Sequence, residues 1–265
     1  MPPAASGDNR FMSPLEAIAI IAAGVAAGTM NAIVGAGSLV TFPTLLLLGY
    51  PPLLANVSNT VGLVPGVISG SVGYRRELAG QRRRAGPLIV AALLGGLTGG
   101  VVLLVLPASA FERIVPILII VACVLVAIQP RLSRALAARR TVAGTTRHEG
   151  GKVLFLGVYL TGIYGGYFGA AQGVILIALL AILIDDDIQR LNGLKIVIAA
   201  AINGIAAVLF MLITPIAWQV AALIAIGSIV GGQIGAHVGR RLSPFALRTL
   251  IIVIGTIVSV KMLLS

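Results

Sequence analysis

Long apolar runs separated by short polar loops constrain this chain more than any other feature of its sequence. Most of the runs approach the roughly 20 residues that a helix needs to cross the hydrocarbon core of a bilayer. They cover residues 14–34, 39–48, 52–74, 87–106, 114–129, 153–170, 174–184, 194–213, 218–239 and 245–264. With 58% hydrophobic and only 10% charged residues, the 265-residue chain has too few polar side chains to cover a soluble globule. The sequence therefore predicts an all-α, polytopic integral membrane protein.

The positions of the basic residues predict how the chain is oriented. Residues 75–84 carry five arginines, residues 131–152 carry six basic side chains, and Arg240 and Arg241 lie together. Such clusters in short loops are typical of the cytoplasmic side. Loops 107–113 and 214–217 together carry one basic residue, so both are expected on the side of the membrane opposite the cytoplasm. The net charge of +11 is therefore a topology signal, and we expect no nucleic-acid partner because no aromatic residues are interleaved with the clusters.

Two of the apolar runs are interrupted in the same way. Residues 28–43 contain three glycines, several polar side chains and a proline, and residues 162–173 contain a second glycine-rich break. Gly28 is separated from Gly162 by the same number of residues as Gly35 from Gly169, so the two glycine pairs correspond. A break in hydrocarbon is tolerated only where it is buried in protein or lines a cavity. Matched breaks in two halves indicate the binding site of a transporter.

Loop charges and the number of crossings together predict two inverted repeats. Residues 14–48 and 153–184 each count as an interrupted hairpin that enters and leaves on one side, followed by three transmembrane helices. Repeat one then starts outside and repeat two starts inside. If either hairpin were a single kinked pass, the inversion would fail. The predicted divisions are an N-terminal tail (1–13), repeat 1 (14–129), a cytoplasmic linker (130–152) and repeat 2 (153–265).

Two hairpin tips that enter from opposite faces would meet near the membrane midplane. The half-helices that start after each break would direct free N–H groups and the positive ends of their dipoles at the space between them. That arrangement suits an anion. The alternative is that the glycines only permit tight helix packing, which is how we interpret the small-residue faces 95–100 and 231–236.

A few polar side chains inside the apolar runs complete the candidate site. Lys195 is an intramembrane lysine, which is by default a functional candidate; the alternative is that it snorkels and pairs with one of Asp185–Asp187. Asn59 and Asn192 occupy equivalent places in the two halves, with helix–helix hydrogen bonding as the alternative. The candidate substrate-binding residues are Asn31, Gly35, Ala36, Gly37, Ser38, Asn59, Gly169, Ala170, Ala171, Gln172, Gly173, Asn192 and Lys195.

Catalytic and cofactor chemistry have no support in the sequence. It contains no nucleotide-binding loop, no metal-ligand spacing and no credible nucleophile triad. We expect no enzyme activity, no catalytic residue, no cofactor and no metal. The rival interpretations are an anion channel, which needs a continuous polar path, and a membrane subunit of a larger complex, which needs a larger soluble surface than these loops offer.

The two breaks with the segments after them resemble the sulfite exporter TauE/SafE (TSUP) family. The resemblance is carried by residues 31–43 with 55–60, and more weakly by 162–173 with 185–192. Ala170, Ala171 and Gln172 replace the family's usual glycine run. The resemblance implies a secondary transporter of the bacterial inner membrane that exports sulfite, sulfoacetate or a related organosulfonate by alternating access. Membrane lipids are further expected partners, and a homodimer would cover the remaining small-residue faces.

Overall fold

The computed structural model of the chain describes residues 12–142, 151–238, 249, 252–253, 255–260 and 262, with backbone alone for residues 132–142 and 238. Within this part of the chain the regular elements are α-helices, which confirms the all-α fold class. They are α1 (Pro14–Ile33), α2 (Ser38–Leu47), α3 (Pro52–Gly73), α4 (Arg82–Val105), α5 (Ala108–Val142), α6 (Gly151–Tyr167), α7 (Gln172–Leu183), α8 (Ile188–Ile213) and α9 (Trp218–Val238).

Six stretches of helix among the described residues are long and apolar enough to cross a membrane. They are Pro14–Ile33, Pro52–Gly73, Arg82–Val105, Ala108–Arg131, Ile188–Ile213 and Trp218–His237. Leu15 and Leu212 are 77% and 79% exposed, and apolar surface of this kind suits lipid rather than water. The shorter apolar helices α2 and α7 follow the two breaks. The multi-pass membrane protein predicted from the apolar runs is confirmed.

Glycine-lined faces bring the long helices into close contact. α1 packs mainly against α9, and α4 packs mainly against α6. A Cβ atom added to Gly99 of α4 would lie 2.8 Å from the carbonyl carbon of Ile163 in α6. A Cβ atom added to Gly231 of α9 would lie 2.8 Å from the carbonyl carbon of Val25 in α1. Small residues thus let the backbones approach, as predicted for these two faces.

Local capping explains where two of the helices begin. At α1, Ser13 Oγ accepts a hydrogen bond from the N–H of Glu16, and the Glu16 carboxylate accepts one from the N–H of Ser13. At α8, the Asp187 carboxylate accepts from the N–H of Gln189 at 2.8 Å. Because this cap starts α8 at Ile188, six residues before the apolar run, Lys195 lies about two turns inside the helix.

The middle of the chain is more helical than its apolar runs suggested. α5 continues past residue 129, where the apolar run ends, and reaches Val142. The residues after Pro130 are rich in alanine, leucine and arginine, which favour helix without being apolar throughout. Most of the last apolar run, residues 245–264, lies outside the described residues.

The packing partners follow one pattern in the two halves. In the two halves, α1 corresponds to α6, α3 to α8 and α4 to α9. The contact of α1 with α9 is matched by that of α6 with α4, and the contact of α3 with α9 by that of α8 with α4. α3 and α8 pack on each other. Exchange of the halves therefore preserves the main contacts. The opposite orientation of the two repeats and the boundaries 14–129, 130–152 and 153–265 stay predictions.

Candidate functional site

The helices before the two breaks end with the same backbone geometry, although Ala171 before α7 has φ +59° where Gly37 before α2 has φ −62°. At the end of α1, the N–H groups of Val34 and Gly35 both donate to the carbonyl oxygen of Met30, and Gly35 has φ +84°. At the end of α6, Phe168 and Gly169 likewise both donate to Tyr164, and Gly169 has φ +75°. A residue with positive φ closes a helix by satisfying its last carbonyl groups, and glycine takes this conformation without steric cost. The equivalence of Gly35 and Gly169 in the sequence is therefore matched by their conformation.

The breaks touch each other through their backbones. The N–H of Gly173, in the first turn of α7, donates to the carbonyl oxygen of Gly35 at 3.0 Å. A Cβ on Gly35 would lie 2.9 Å from the carbonyl carbon of Gly173, so only glycine fits there. On another side of this contact, Phe42 of α2 and Phe168 pack edge to face at 5.4 Å between ring centroids. The meeting of the two breaks expected from the sequence is present in the structure.

A small cavity of about 10 Å³ lies beside this contact. It is lined by Asn31, Gly35, Val67, Gln172, Gly173, Lys195, Ile196, Ala199 and Asn203. Five of these were candidates from the sequence, namely Asn31, Gly35, Gln172, Gly173 and Lys195. A cavity of this volume holds about one water molecule, so in this conformation it has no room for a larger ligand.

Lys195 is the ionisable group of the cavity. Its side chain is 1% exposed, and Nζ donates to the carbonyl oxygen of Ala32 at 3.5 Å. The alternative that Lys195 snorkels and pairs with the acidic triplet is wrong: Asp186 pairs with Arg84 and Arg190, and Asp187 caps α8. A buried ammonium held by one long hydrogen bond is poorly compensated.

Gln172 and Asn203 form the amide part of the cavity. Gln172 Nε2 donates to Asn203 Oδ1 at 2.7 Å, while Gln172 Oε1 is buried and has no hydrogen-bond partner within the described part of the chain. Asn203 is not among the candidate residues from the sequence, and its only signal there is a polar side chain within the apolar run 194–213. Its amide is nevertheless one of the polar groups that surround Lys195.

A similar pair lies in the first half. The Thr41 hydroxyl donates to Asn59 Oδ1, which links α2 to α3 as Gln172 and Asn203 link α7 to α8. The two pairs are not equivalent by position, because Asn203 lies about four turns into α8 whereas Asn59 lies about two turns into α3. Asn192, the counterpart of Asn59 by sequence offset, is half-buried near the start of α8. Neither Asn59 nor Asn192 lines the cavity.

The N–H groups expected to face an anion are partly occupied. Gly37, the N-cap of α2, donates its N–H to Asn31 Oδ1 at 2.8 Å, and the N–H of Gly173 is bound to Gly35. Separation of the two breaks would release the Gly173 N–H, whereas the bond between Gly37 and Asn31 lies within the first break. Of the remaining candidates, Ala36, Ser38, Gly169, Ala170 and Ala171 belong to the breaks but do not line the cavity. The carbonyl oxygen of Ala170 accepts a hydrogen bond from the Tyr164 hydroxyl at 2.6 Å.

Comparisons with known proteins agree with this architecture. The family model described as sulfite exporter TauE/SafE matches residues 20–262. A "Probable membrane transporter protein" of Haemophilus influenzae is 24% identical over 90% of this chain and 91% of its own length. The "Probable membrane transporter protein YfcA" of Escherichia coli K12 is 22% identical over 96% and 91%. No solved structure matches the chain. This chain belongs to the sulfite exporter TauE/SafE family of membrane transporters.

Proposed function

We propose that this membrane transporter is a secondary carrier that exports a small sulfur-containing anion across the inner membrane by alternating access. The anion is of the sulfite, sulfoacetate or related organosulfonate class. The observation that carries the proposal is the buried Lys195 ammonium beside the contact between Gly35 and Gly173. A charge in this position is costly unless it serves a ligand.

The donors around the cavity suit an oxyanion. Lys195 supplies a positive charge, Asn31 and Gln172 carry amide N–H groups, and the first turn of α7 presents the N–H of Gly173. Sulfonate and sulfite oxygens accept hydrogen bonds from all of these donors, and those from a charged group are the strongest. The anion would also neutralise the ammonium, which has one long hydrogen bond to Ala32.

The size of the cavity supports a carrier that opens and closes around its substrate. A volume of about 10 Å³ is much smaller than a sulfonate group. Substrate entry therefore requires the breaks to part, with the bond between Gly173 and Gly35 released and its N–H turned towards the anion. The energy for export is available from the membrane potential, since moving one negative charge out of a negative interior yields about 2.3 kcal/mol per 100 mV.

Transport in reconstituted vesicles tests the proposal. Purified protein in liposomes is assayed for uptake of radiolabelled sulfite, sulfoacetate and thiosulfate, with sulfate, phosphate and acetate as competitors. We expect saturable uptake of a sulfur-containing anion, loss of uptake in Lys195→Gln and partial recovery in Lys195→Arg. Arg76→Gln, an exposed residue of the α3–α4 loop, serves as the matched control for loss of one positive charge.

Counterflow distinguishes a carrier from a channel. Vesicles preloaded with unlabelled substrate should transiently accumulate labelled substrate above equilibrium, because a carrier exchanges the two through one alternating site. A channel would give no overshoot, and the absence of an overshoot would refute alternating access. Uptake that Lys195→Gln leaves unchanged would remove the cavity from the transport pathway.

A further inference from the structure

A second, larger cavity lies at the end of the molecule where α4 and α6 begin. Its volume is about 800 Å³, and the loop between α7 and α8 forms part of its wall. The lining residues that carry the argument are Arg83, Arg84, Lys152, Asp186, Pro87 and Phe155. This cavity shares no lining residue with the one around Lys195.

The cavity is positively charged. Four cationic side chains line it, contributed by Arg83, Arg84, Lys152 and Arg190, against the two carboxylates of Asp185 and Asp186, which leaves a formal charge of +2. Basic loops of this kind are typical of the cytoplasmic side, where the membrane surface is rich in anionic lipid.

The Asp186 carboxylate already forms ion pairs with two of the arginines. Asp186 accepts from Arg84 at 2.8 Å and from Arg190 at 2.9 Å. Burial alone would raise the pKa of Asp186, but the hydrogen bonds from Arg84 and from the Asp187 N–H, together with the two positive charges, bring it below its usual value. Asp186 is therefore ionised and occupied by its partners. Arg83 and Lys152 are exposed and have no ion-pair partner among the described residues.

The rest of the wall is apolar. Pro87 of α4 and Phe155 of α6 present apolar surface to the cavity, whereas Leu88 and Leu154 beside them are almost fully buried. Next to them, Val90 and Val153 are exposed on the outer faces of these apolar helices, which contact lipid in a membrane. A free inorganic anion uses only the rim, whereas a phospholipid uses both the basic rim and the apolar wall.

We infer that this cavity binds the headgroup of an anionic phospholipid, with the phosphate between Arg83 and Lys152 and the start of an acyl chain along the wall between α4 and α6. The ion pairs of Asp186 with Arg84 and Arg190 stabilise this part of the cavity lining. Arg83 and Lys152 stay available to bind the lipid phosphate. The site is independent of the transported anion, because it shares no residue with the cavity at the breaks.

Lipid binding to the purified full-length protein tests the inference. Native mass spectrometry in detergent measures retention of phosphatidylglycerol and of phosphatidylcholine, and thermal-shift titration compares both lipids with inorganic phosphate. The test variant combines Arg83→Gln with Lys152→Gln. Arg75→Gln with Arg76→Gln removes the same charge from exposed residues that do not line the cavity. Melting in phosphatidylcholine alone establishes that each variant is folded.

The expected result is selective loss of phosphatidylglycerol binding in the cavity variant. Two basic residues contribute about 2 kcal/mol, so its apparent affinity should fall roughly 30-fold while the control pair changes little. Equal loss in both double variants would mean diffuse surface attraction and would overturn the site. Equal protection by inorganic phosphate would show a site for soluble anions and refute the lipid assignment, as would equal binding of the two lipids. None of these results bears on transport of a sulfur-containing anion.

Discussion

The N–H of Gly173 donates a hydrogen bond to the carbonyl oxygen of Gly35 at 3.0 Å, across 138 positions of the chain. It joins the first turn of α7 to the residue that closes α1. No side chain separates the two backbones, and a Cβ on Gly173 would lie 2.9 Å from the Gly35 oxygen. The contact therefore depends on glycine at both positions, and in the proposed mechanism it opens to let an anion reach Lys195.

Alanine at either of these glycines should destabilise the closed arrangement. Gly35→Ala adds a methyl group against Gly173 and also places a side chain at φ +84°, so we expect a loss of about 3 kcal/mol. Gly173→Ala lacks the dihedral strain and should cost less, about 2 kcal/mol. Thermal melting in detergent, followed by tryptophan fluorescence, measures both.

Gly204→Ala is the matched control for these substitutions. Gly204 lies inside α8, and a Cβ there meets nothing within 4 Å. Alanine also favours helix over glycine by about 1 kcal/mol, so this variant should melt at the same or a higher temperature. If Gly35→Ala melted like Gly204→Ala, the close backbone contact would be refuted.

Lys195→Met should stabilise the protein and abolish its response to anions. Methionine has a similar volume and leaves no unpaired charge, so we expect a gain of about 1–3 kcal/mol. The stabilisation by sulfite or sulfoacetate that we expect for wild type in a thermal-shift titration should disappear. A lower melting temperature with the anion response retained would mean that Lys195 serves the fold rather than a ligand.

Alanine on the glycine faces of α4 and α9 should separate packing from binding. Gly99→Ala and Gly231→Ala each insert a methyl group against the backbone of a neighbouring helix, at Ile163 and Val25, and should cost about 1–3 kcal/mol. Both lie outside the cavity of Lys195, so the anion dissociation constant measured at low temperature should stay within twofold. A large change in that constant with unaltered melting would contradict the packing role.

The pairing of Asp186 should make stability depend on pH in the acid range. Its folded-state pKa is held below the ordinary value of 3.8, so the unfolded chain takes up the proton first as pH falls. The stabilisation is complete above that ordinary value and disappears as pH decreases through the lower folded one. At neutral pH, Asp186→Asn should cost about 1 kcal/mol, because the pairs are partly exposed.

Melting temperatures of wild type and Asp186→Asn, recorded between neutral pH and about pH 3, check this expectation. The difference between the two proteins should shrink as the pH falls. Asp185→Asn removes the neighbouring carboxylate and should show a much smaller difference at every pH. A difference that grew towards acid pH would give the linkage the opposite sign and refute the assignment.

The sequence by itself determined the membrane architecture and the two breaks. Apolar runs near 20 residues have few stable forms other than spanning helices, since backbone groups in hydrocarbon must bond within their own segment. Gly35 and Gly169 were recognisable as equivalent because interruption of a long helix leaves a local composition signal. The start of α8 does not follow from the apolar run, because the Asp187 cap starts that helix in a polar segment outside it.

Only the tertiary structure decided which polar groups meet. Gly173 touches Gly35 where the two breaks meet, and Asn203 joins Gln172 beside Lys195 because α7 and α8 pack on each other. Sequence spacing relates positions within one helix, whereas contacts between distant helices depend on how side chains interdigitate. For that reason the sequence placed Lys195 in the membrane but left its partner open, and packing made that partner the Ala32 carbonyl oxygen rather than an aspartate.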